Sequence, residues 1–231
     1  MSLIRNTFKR LHYPVDIIAQ CVRWYLAYAL NLRNLEEMMA ESGIAVDHST
    51  LSRWVHRLVP LMIKRYWRSK PAVGRRWRMD ETSIKIKGQW SYLYRALDSG
   101  GNTIDFLLTV HRDKKAALRF FKKAMRQHGQ LAVVTIDKSG ANKVAVDELN
   151  KGKPKEEVIV IRQNKYLNNL IEQDHRNVKQ RTRPLLGFKN FRRAQTVLAG
   201  IEPVCMLRKG QYLQEPEYPT SPAAYFYRLT A

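Results

Sequence analysis

Hydrophobic positions recur at helical spacing along the first sixty residues of the chain. The apolar side chains of residues 15–32 fall on one face of a predicted helix. A second predicted helix ends at Gly43, because glycine readily adopts the positive φ that terminates a helix. A third begins after Asp47, a good N-cap, and carries apolar residues at i, i+3, i+4 and i+7 as far as Leu58. We therefore predict an all-α domain over residues 1–60.

The second and third predicted helices are joined by a tight turn that contains glycine, and the third has a basic face. This is the helix-turn-helix pattern, in which the second helix of the pair enters the major groove of DNA. The side chains expected to point towards the groove are His48, Ser49, Ser52, Arg53, His56 and Arg57. The alternative is a plain three-helix bundle that makes protein contacts.

The overall charge favours DNA over a protein partner. The chain has 41 Lys and Arg residues against 20 Asp and Glu residues, which gives a formal net charge of +21. Such a balance suits a polyanion, because each neutralised phosphate releases counterions. Basic residues are dense over 61–76, where Pro71 and Gly74 act as breakers, so we predict an interdomain linker there.

Strand-like patterns dominate the next part of the chain. Three runs, over residues 77–85, 90–97 and 103–110, are separated by turn sequences and predict an antiparallel meander. A helix over 114–127, a buried strand over 131–136, a helix over 142–149, a strand over 158–161 and a helix over 166–183 are expected to follow. This order resembles the ribonuclease H-like fold. We therefore expect an α/β domain over residues 77–212, with a mixed five-stranded sheet and flanking helices, and a C-terminal tail over 213–231.

Three carboxylates occupy positions that this fold would bring together. Asp80 lies in the first predicted strand, Asp137 follows the fourth, and Glu172 lies on the last predicted helix, with thirty-four residues between it and Asp137. Taken singly, Asp80 could be a strand-edge residue, Asp137 a cap at the end of a strand, and Glu172 a residue of a solvated helix surface. Glu81, beside Asp80, is a competing candidate for the metal ligand. Together they predict a site for two divalent metal ions, which need shared anionic oxygens.

Basic residues follow Glu172 along the same predicted helix. Seven residues make nearly two helical turns, so Glu172 and Lys179 are stacked almost in line, with Arg176 between them. We expect Arg176 and Lys179 to contact DNA, with Lys179 holding a phosphate beside the metal ions. His175 is expected to hydrogen-bond the backbone or DNA rather than to bind metal.

Several segments closely resemble the transposases of the insertion-sequence-six family of bacterial mobile elements, within the Asp-Asp-Glu transposase and integrase superfamily. The resemblance covers residues 14–211. The segments are Val46-Asp-His-Ser-Thr-Leu, Trp77-Arg-Met-Asp80-Glu-Thr, Gly88-Gln-Trp-Ser-Tyr-Leu-Tyr-Arg-Ala-Leu-Asp98, Thr135-Ile-Asp137-Lys-Ser-Gly, Asn168-Asn-Leu-Ile-Glu172-Gln-Asp-His, Arg183-Pro-Leu-Leu-Gly-Phe188-Lys, Gly200-Ile-Glu and Arg208-Lys-Gly.

The resemblance implies a function for these residues. Asp80, Asp137 and Glu172 would be the catalytic, metal-binding triad for two Mg²⁺ ions, with Mn²⁺ as a substitute, and Lys179 would match the basic residue that follows the glutamate. The reaction implied is cleavage of double-stranded DNA at terminal inverted repeats, followed by attack of the freed 3′-hydroxyl on target DNA. A homodimer or larger synaptic complex is expected, since two DNA ends must be held together.

Other interpretations remain open at this point. The main alternative is a non-catalytic DNA-binding regulator derived from a transposase, and a structure-selective nuclease would not explain a helix-turn-helix.

Ser83 stands where relatives usually carry Tyr, and we expect it to loosen packing behind Asp80. The longest apolar run, residues 24–30, is too short to span a bilayer, and no signal peptide is evident, so we expect a cytoplasmic, nucleoid-associated bacterial protein.

Overall fold

The computed structural model describes residues 12–137, 140–163, 169–213 and 221–230. These residues form two compact units, one from the described residues up to Pro71 together with those from Asn177 onward, and one from Ala72–Arg176. The helices are α1 (Val15–Ala27), α2 (Leu32–Glu41), α3 (His48–Ser69), α4 (Lys114–His128), α5 (Gly140–Asn150), α6 (Asn169–Thr182), α7 (Phe191–Arg208) and α8 (Pro222–Thr230). The strands are β1 (Arg76–Ile86), β2 (Gln89–Asp98), β3 (Thr103–Thr109), β4 (Val133–Ile136) and β5 (Val160–Gln163).

The strands of the second unit form one mixed sheet in the order β3-β2-β1-β4-β5. Strands β1, β2 and β3 are the predicted antiparallel meander, whereas β4 runs parallel to β1, and β5 runs parallel to β4. Helices α4 and α5 provide the connections that parallel pairing requires. The predicted ribonuclease H-like architecture is confirmed by this topology.

A hydrophobic core lies between the sheet and helices α4 and α5. Strand β1 contributes Trp77 and Met79, two residues apart and therefore on one face of the strand. Phe120 and Phe121 of α4 and Val146 of α5 are also fully buried there. Asp80 alternates with these core residues, so the carboxylate of Asp80 belongs to the opposite face of the sheet.

Helix α3 corrects the linker prediction for residues 61–69. The helix continues through Pro60 to Ser69, and Met62 and Tyr66 are buried. A proline inside a helix costs about 3 kcal/mol, but burying large apolar side chains recovers about 1.5–3 kcal/mol each. The Tyr66 hydroxyl also donates a hydrogen bond to the carbonyl of Gln211, at 2.7 Å. Tertiary packing therefore offsets the helix-breaking effect of Pro60.

The C-terminal region also differs from the predicted tail. Residues 222–230 form α8, in which Phe226 and Leu229 are buried. The Arg65 guanidinium donates to the Leu229 carbonyl at 3.1 Å, which joins α8 to α3. The units of the structure consequently differ from the predicted boundaries at residues 60, 76 and 212, because α7 and α8 complete the core of the N-terminal helices.

Candidate active site

The centre of the candidate site is a group of three carboxylates on β1 and β4. Asp80 and Glu81 are neighbours on β1, and Asp137 directly follows the carboxyl end of β4, where ligands of open α/β sheets bind. Parallel pairing of Arg78 with Thr135 brings these positions side by side. One oxygen from each of the three carboxylates lies within 4.8 Å of the others. This closeness concentrates negative charge at one spot.

Glu81 is the most enclosed of the three carboxylates, with a side chain only 2% exposed. Its Oε2 accepts a hydrogen bond from Asn142 Nδ2 at 3.0 Å, and its Oε1 forms an ion pair with Arg112 Nε. Burial raises the pKa of the Glu81 carboxyl, and the Asn142 hydrogen bond and the Arg112 charge partly offset that rise. Glu81 is therefore already bound to two donors.

The same two donors reach Asp137. Arg112 Nη2 lies 3.2 Å from Asp137 Oδ2, and Asn142 Nδ2 lies 3.5 Å from Asp137 Oδ1. Burial lowers the pKa of the Arg112 guanidinium, but attraction by Glu81, Asp137 and Asp80 outweighs burial and raises it. Arg112 lies in the loop after β3, where the sequence gives no local signal of its role, so it was not among the predicted site residues.

Asp80 is approached from helix α6 rather than from α4 or α5. His175 Nε2 lies 3.4 Å from Asp80 Oδ2, and the His175 side chain is 6% exposed. Neither ring nitrogen of His175 has a hydrogen-bond partner among the described residues. Ser83 is exposed on β1, and its expected effect on the packing behind Asp80 stays a prediction.

A buried ion pair holds α6 against the sheet. Arg95 of β2 lies opposite Asp80 in the β1–β2 register. Arg95 Nη2 contacts Asp174 Oδ2 at 2.6 Å, with side-chain exposures of 0% and 5%. Asp174 precedes His175, so this pair fixes the part of α6 that contacts Asp80.

Glu172 lies in the first described turn of α6 and is exposed. The structure brings together two of the predicted triad, Asp80 and Asp137, and the third carboxylate of that group is Glu81. Arg176 and Lys179 are exposed on the same helix. The metal-binding role of Glu172 therefore stays a prediction, as do the DNA contacts of Arg176 and Lys179. The predicted start of this helix, residues 166–168, lies outside the described residues.

The predicted DNA-binding residues lie on the first turns of α3. Asp47 caps α3 by accepting from the backbone amides of Ser49 and Thr50. Several of the predicted residues have local contacts: His48 Nδ1 lies 2.9 Å from Glu36 Oε2, the Ser49 hydroxyl donates to Asp47, and Arg53 Nη2 donates to the Thr50 hydroxyl at 2.7 Å. Ser52 and His56 are half-buried, whereas Arg53 and Arg57 are exposed. Contact with DNA remains a prediction for all six.

The acidic group has the chemistry that a hard divalent cation requires. Carboxylate oxygens are the ligands that Mg²⁺ and Mn²⁺ prefer, and oxygens within 4.8 Å of one another can share an ion. Arg112 supplies a positive charge to the same group, so an incoming cation competes with the guanidinium for Asp137. Asp80 and Asp137 fit a divalent metal site on these grounds.

Taken together, the sheet topology and the carboxylates define a ribonuclease H-like protein with an acidic site. A family model described as a DDE domain matches residues 74–211. The chain is 38% identical over 205 residues to the transposase for insertion sequence-like element IS431mec of Staphylococcus aureus, covering 88% of this chain and 89% of that relative. Identity and coverage are the same for the transposase for insertion sequence element IS257 in transposon Tn4003 of Staphylococcus aureus. The chain belongs to the DDE-domain family of insertion-sequence transposases.

Solved structures show a more distant similarity. The HTLV-2 integrase catalytic core domain in complex with magnesium, in its trimeric form, aligns with a TM-score of 0.45 and 14% identity over 70% of this chain and 99% of that chain. The catalytic core domain of BIV integrase aligns with a TM-score of 0.41 and 13% identity over 67% and 94%. Family membership therefore rests on the sequence relatives.

No helix in the described part of the chain has the length and apolar character needed to cross a membrane.

Proposed function

We propose that this chain is an active insertion-sequence transposase that cleaves the terminal inverted repeats of its element and joins the 3′-hydroxyl to target DNA. The observation that carries the proposal is the convergence of Asp80 and Asp137 at the carboxyl end of β4. A regulator without catalysis would have no use for such a concentration of carboxylates, which costs stability through like-charge repulsion.

Asp80 and Asp137 would hold divalent metal, and Glu172 would complete the set from α6. When bound, two Mg²⁺ or Mn²⁺ ions supply activation of the attacking oxygen and stabilisation of the leaving oxygen in an in-line displacement at phosphorus. No side-chain nucleophile is then required. The His175 contact with Asp80 and the Arg95–Asp174 pair support this role for α6, because they hold the helix that carries Glu172 beside Asp80.

The basic residues would bind the DNA. Arg176 and Lys179 would contact phosphates of the DNA end, since both are exposed on the helix that carries Glu172. Helix α3 would locate the inverted repeats through its exposed Arg53 and Arg57. Two ends must be processed together, so the working form would be a homodimer or larger synaptic complex, acting on DNA in the bacterial cytoplasm.

The test is cleavage of a labelled duplex that carries the element's own terminal repeat, with Mg²⁺ or Mn²⁺. Asp137→Asn and Glu172→Gln should lose metal-dependent nicking yet still bind the duplex. Glu156→Gln removes an exposed carboxylate outside the site and serves as the charge-matched control. Nicking by Glu172→Gln at the wild-type rate would remove Glu172 from the ligand set. A wild type that binds both ends and cuts neither, with either metal, would establish the non-catalytic regulator instead.

A further inference from the structure

Glu81 occupies an unusual position for a carboxylate beside a metal site. The side chain is 2% exposed and is bound by Arg112 and Asn142, and each of these donors also reaches Asp137. Glu81, Arg112 and Asn142 come from three different elements, which are β1, the loop before α4, and the first turn of α5. Glu81 therefore holds the two donors that also contact Asp137.

We propose that Glu81 is a positioning residue that acts through Arg112 on Asp137, and that it is not itself a metal ligand. This inference rests on the metal site of the proposed function. Arg112, held by Glu81, orients the Asp137 carboxylate and limits the net negative charge of the site. Asn142 holds the other oxygen of the Glu81 carboxylate by a hydrogen bond.

The contacts of Glu81 explain why it does not become a ligand. Moving its carboxylate onto a metal ion would break the hydrogen bond from Asn142, which is itself fully buried. Asn142 Nδ2 would then keep only its longer contact with Asp137 Oδ1, at 3.5 Å, and the loss of its shorter hydrogen bond in a buried position is unfavourable. The move would also remove the closest anionic partner of Arg112, leaving that guanidinium against Asp137 and in direct competition with the ion. In the part of the chain that the structure describes, Asp80 contacts His175, and the hydrogen bonds of Arg112 and Asn142 go to Glu81 and Asp137 instead.

Removing Glu81 and removing Arg112 should change metal affinity in opposite directions, which separates the roles of the two residues. Without the Glu81 charge, Arg112 is free to compete fully for Asp137, so metal affinity should fall. Without Arg112, the competing cation is gone, so metal affinity should rise. If Glu81 acts only through Arg112, its removal has no further effect once Arg112 is gone, so the double variant should bind metal as tightly as Arg112→Gln does. Independent effects would instead add and return the affinity to about the wild-type value.

The measurement is Mn²⁺ affinity, by electron paramagnetic resonance of the free ion, for the wild type, Glu81→Gln, Arg112→Gln and the double variant. We expect Glu81→Gln to weaken binding by at least about fivefold and Arg112→Gln to tighten it by a similar factor. The double variant should lie within about twofold of Arg112→Gln, because Glu81 has no Arg112 left to act through. Asp80→Asn should abolish binding. Thermal unfolding of each variant checks that it is folded.

The matched control is an ion pair of the same unit outside the site. Lys114 Nζ and Glu148 Oε2 are 3.3 Å apart and partly exposed, so Lys114→Gln, Glu148→Gln and their double variant should leave Mn²⁺ affinity unchanged. A double variant at Glu81 and Arg112 that binds Mn²⁺ only as tightly as the wild type, or more weakly, overturns the inference, because Glu81 then acts on the metal independently of Arg112. If the wild type binds Mn²⁺ and nicks DNA in that case, the proposed function still stands. Absence of Mn²⁺ binding by the wild type overturns both proposals.

Discussion

Arg95 and Asp174 form an ion pair, with 2.6 Å between Nη2 and Oδ2, in which both side chains are almost completely withdrawn from water. Arg95 stands on β2 directly across from Asp80, and Asp174 adjoins His175, which contacts Asp80. The pair therefore links the middle of the sheet to helix α6 at the level of the acidic group. Its partners differ from those of Arg112, which contacts Glu81 and Asp137 at the other side of the group.

Removing one partner of this ion pair should strongly destabilise the fold. Arg95→Met and Asp174→Leu each leave the remaining buried charge without this ion-pair partner, at a cost of about 3–5 kcal/mol. The double variant Arg95→Met/Asp174→Leu leaves no such charge and should recover much of the loss. Urea denaturation followed by circular dichroism gives the free energy of unfolding of each variant.

Arg119→Met is the control for this measurement, because Arg119 is exposed on α4. Its free energy of unfolding should stay within about 0.5 kcal/mol of the wild type. Single variants of Arg95 and Asp174 that behave like this control would show that the pair does not anchor α6.

Local patterns were sufficient to predict the sheet and the position of Asp137. The meander over β1 to β3 has strong turn signals, and β4 is a short apolar run that ends at Asp137. These features depend on residues close together in the chain, so sequence reasoning finds them. Asp80 could be placed for the same reason, on a strand whose alternation is clear.

Contacts between distant segments could not be predicted in the same way. Arg112 reaches Glu81 from a loop, and nothing in its neighbours distinguishes it from other surface cations. Arg95 did carry a signal, because an arginine within an otherwise buried strand needs an anionic partner, yet the sequence does not say that Asp174 is that partner. The dense basic residues after Pro60 indicated a linker, whereas the structure continues the helix to Ser69, where Met62 and Tyr66 are buried.

Gly200 of α7 should not tolerate even a methyl group. A Cβ at this position would lie 2.8 Å from Leu26 Cδ2 and 3.1 Å from Val59 Cγ1, both in a packed core. Alanine gains about 1 kcal/mol of helix propensity over glycine, but overpacking costs about 1–3 kcal/mol, so we expect a net loss for Gly200→Ala. Denaturant unfolding measures that loss.

Two comparisons make the Gly200 prediction specific. Gly140→Ala should be neutral or slightly stabilising, because no atom of the described residues lies within 4 Å of the added methyl group. In a Leu26→Ala background the clash with the leucine is removed and only the 3.1 Å contact with Val59 Cγ1 remains, so Gly200→Ala should cause a smaller loss. Persistence of the same loss in that background would assign it to something other than contact with Leu26.

His56 should contribute to the pH dependence of stability. Burial, with the positive charges of Arg193 and Arg192, lowers the pKa of the His56 imidazole from its ordinary 6.5. The unfolded chain then binds more protons at this residue than the folded chain does, so stability is gained as pH rises and lost as pH falls through the folded-state pKa. The effect should be visible as a melting temperature that rises between about pH 5 and 7.

His56→Gln should flatten that part of the profile without changing its high-pH plateau. Arg192→Gln/Arg193→Gln, which keeps His56, should reduce the slope only partly, since burial is the larger cause. Added salt should act in the same direction as the arginine variant by screening the charges. A profile that is identical for wild type and His56→Gln would contradict the prediction.

Arg53 and Arg57 should contact DNA phosphates, because both are exposed on the helix proposed to enter the major groove and Arg53 is oriented by its hydrogen bond to Thr50. Each phosphate contact contributes about 0.9 to the slope of log affinity against log salt, so Arg53→Gln/Arg57→Gln should lower that slope by about 2. Fluorescence anisotropy with labelled repeat DNA over a KCl series measures the slope. Lys115→Gln/Lys122→Gln removes the same charge from exposed positions of α4 and should leave it nearly unchanged. Equal losses of affinity for the terminal repeat and for a scrambled duplex would indicate phosphate contacts. A larger loss of affinity for the repeat would indicate that these arginines contact bases. An unchanged salt slope would exclude both arginines from the DNA interface.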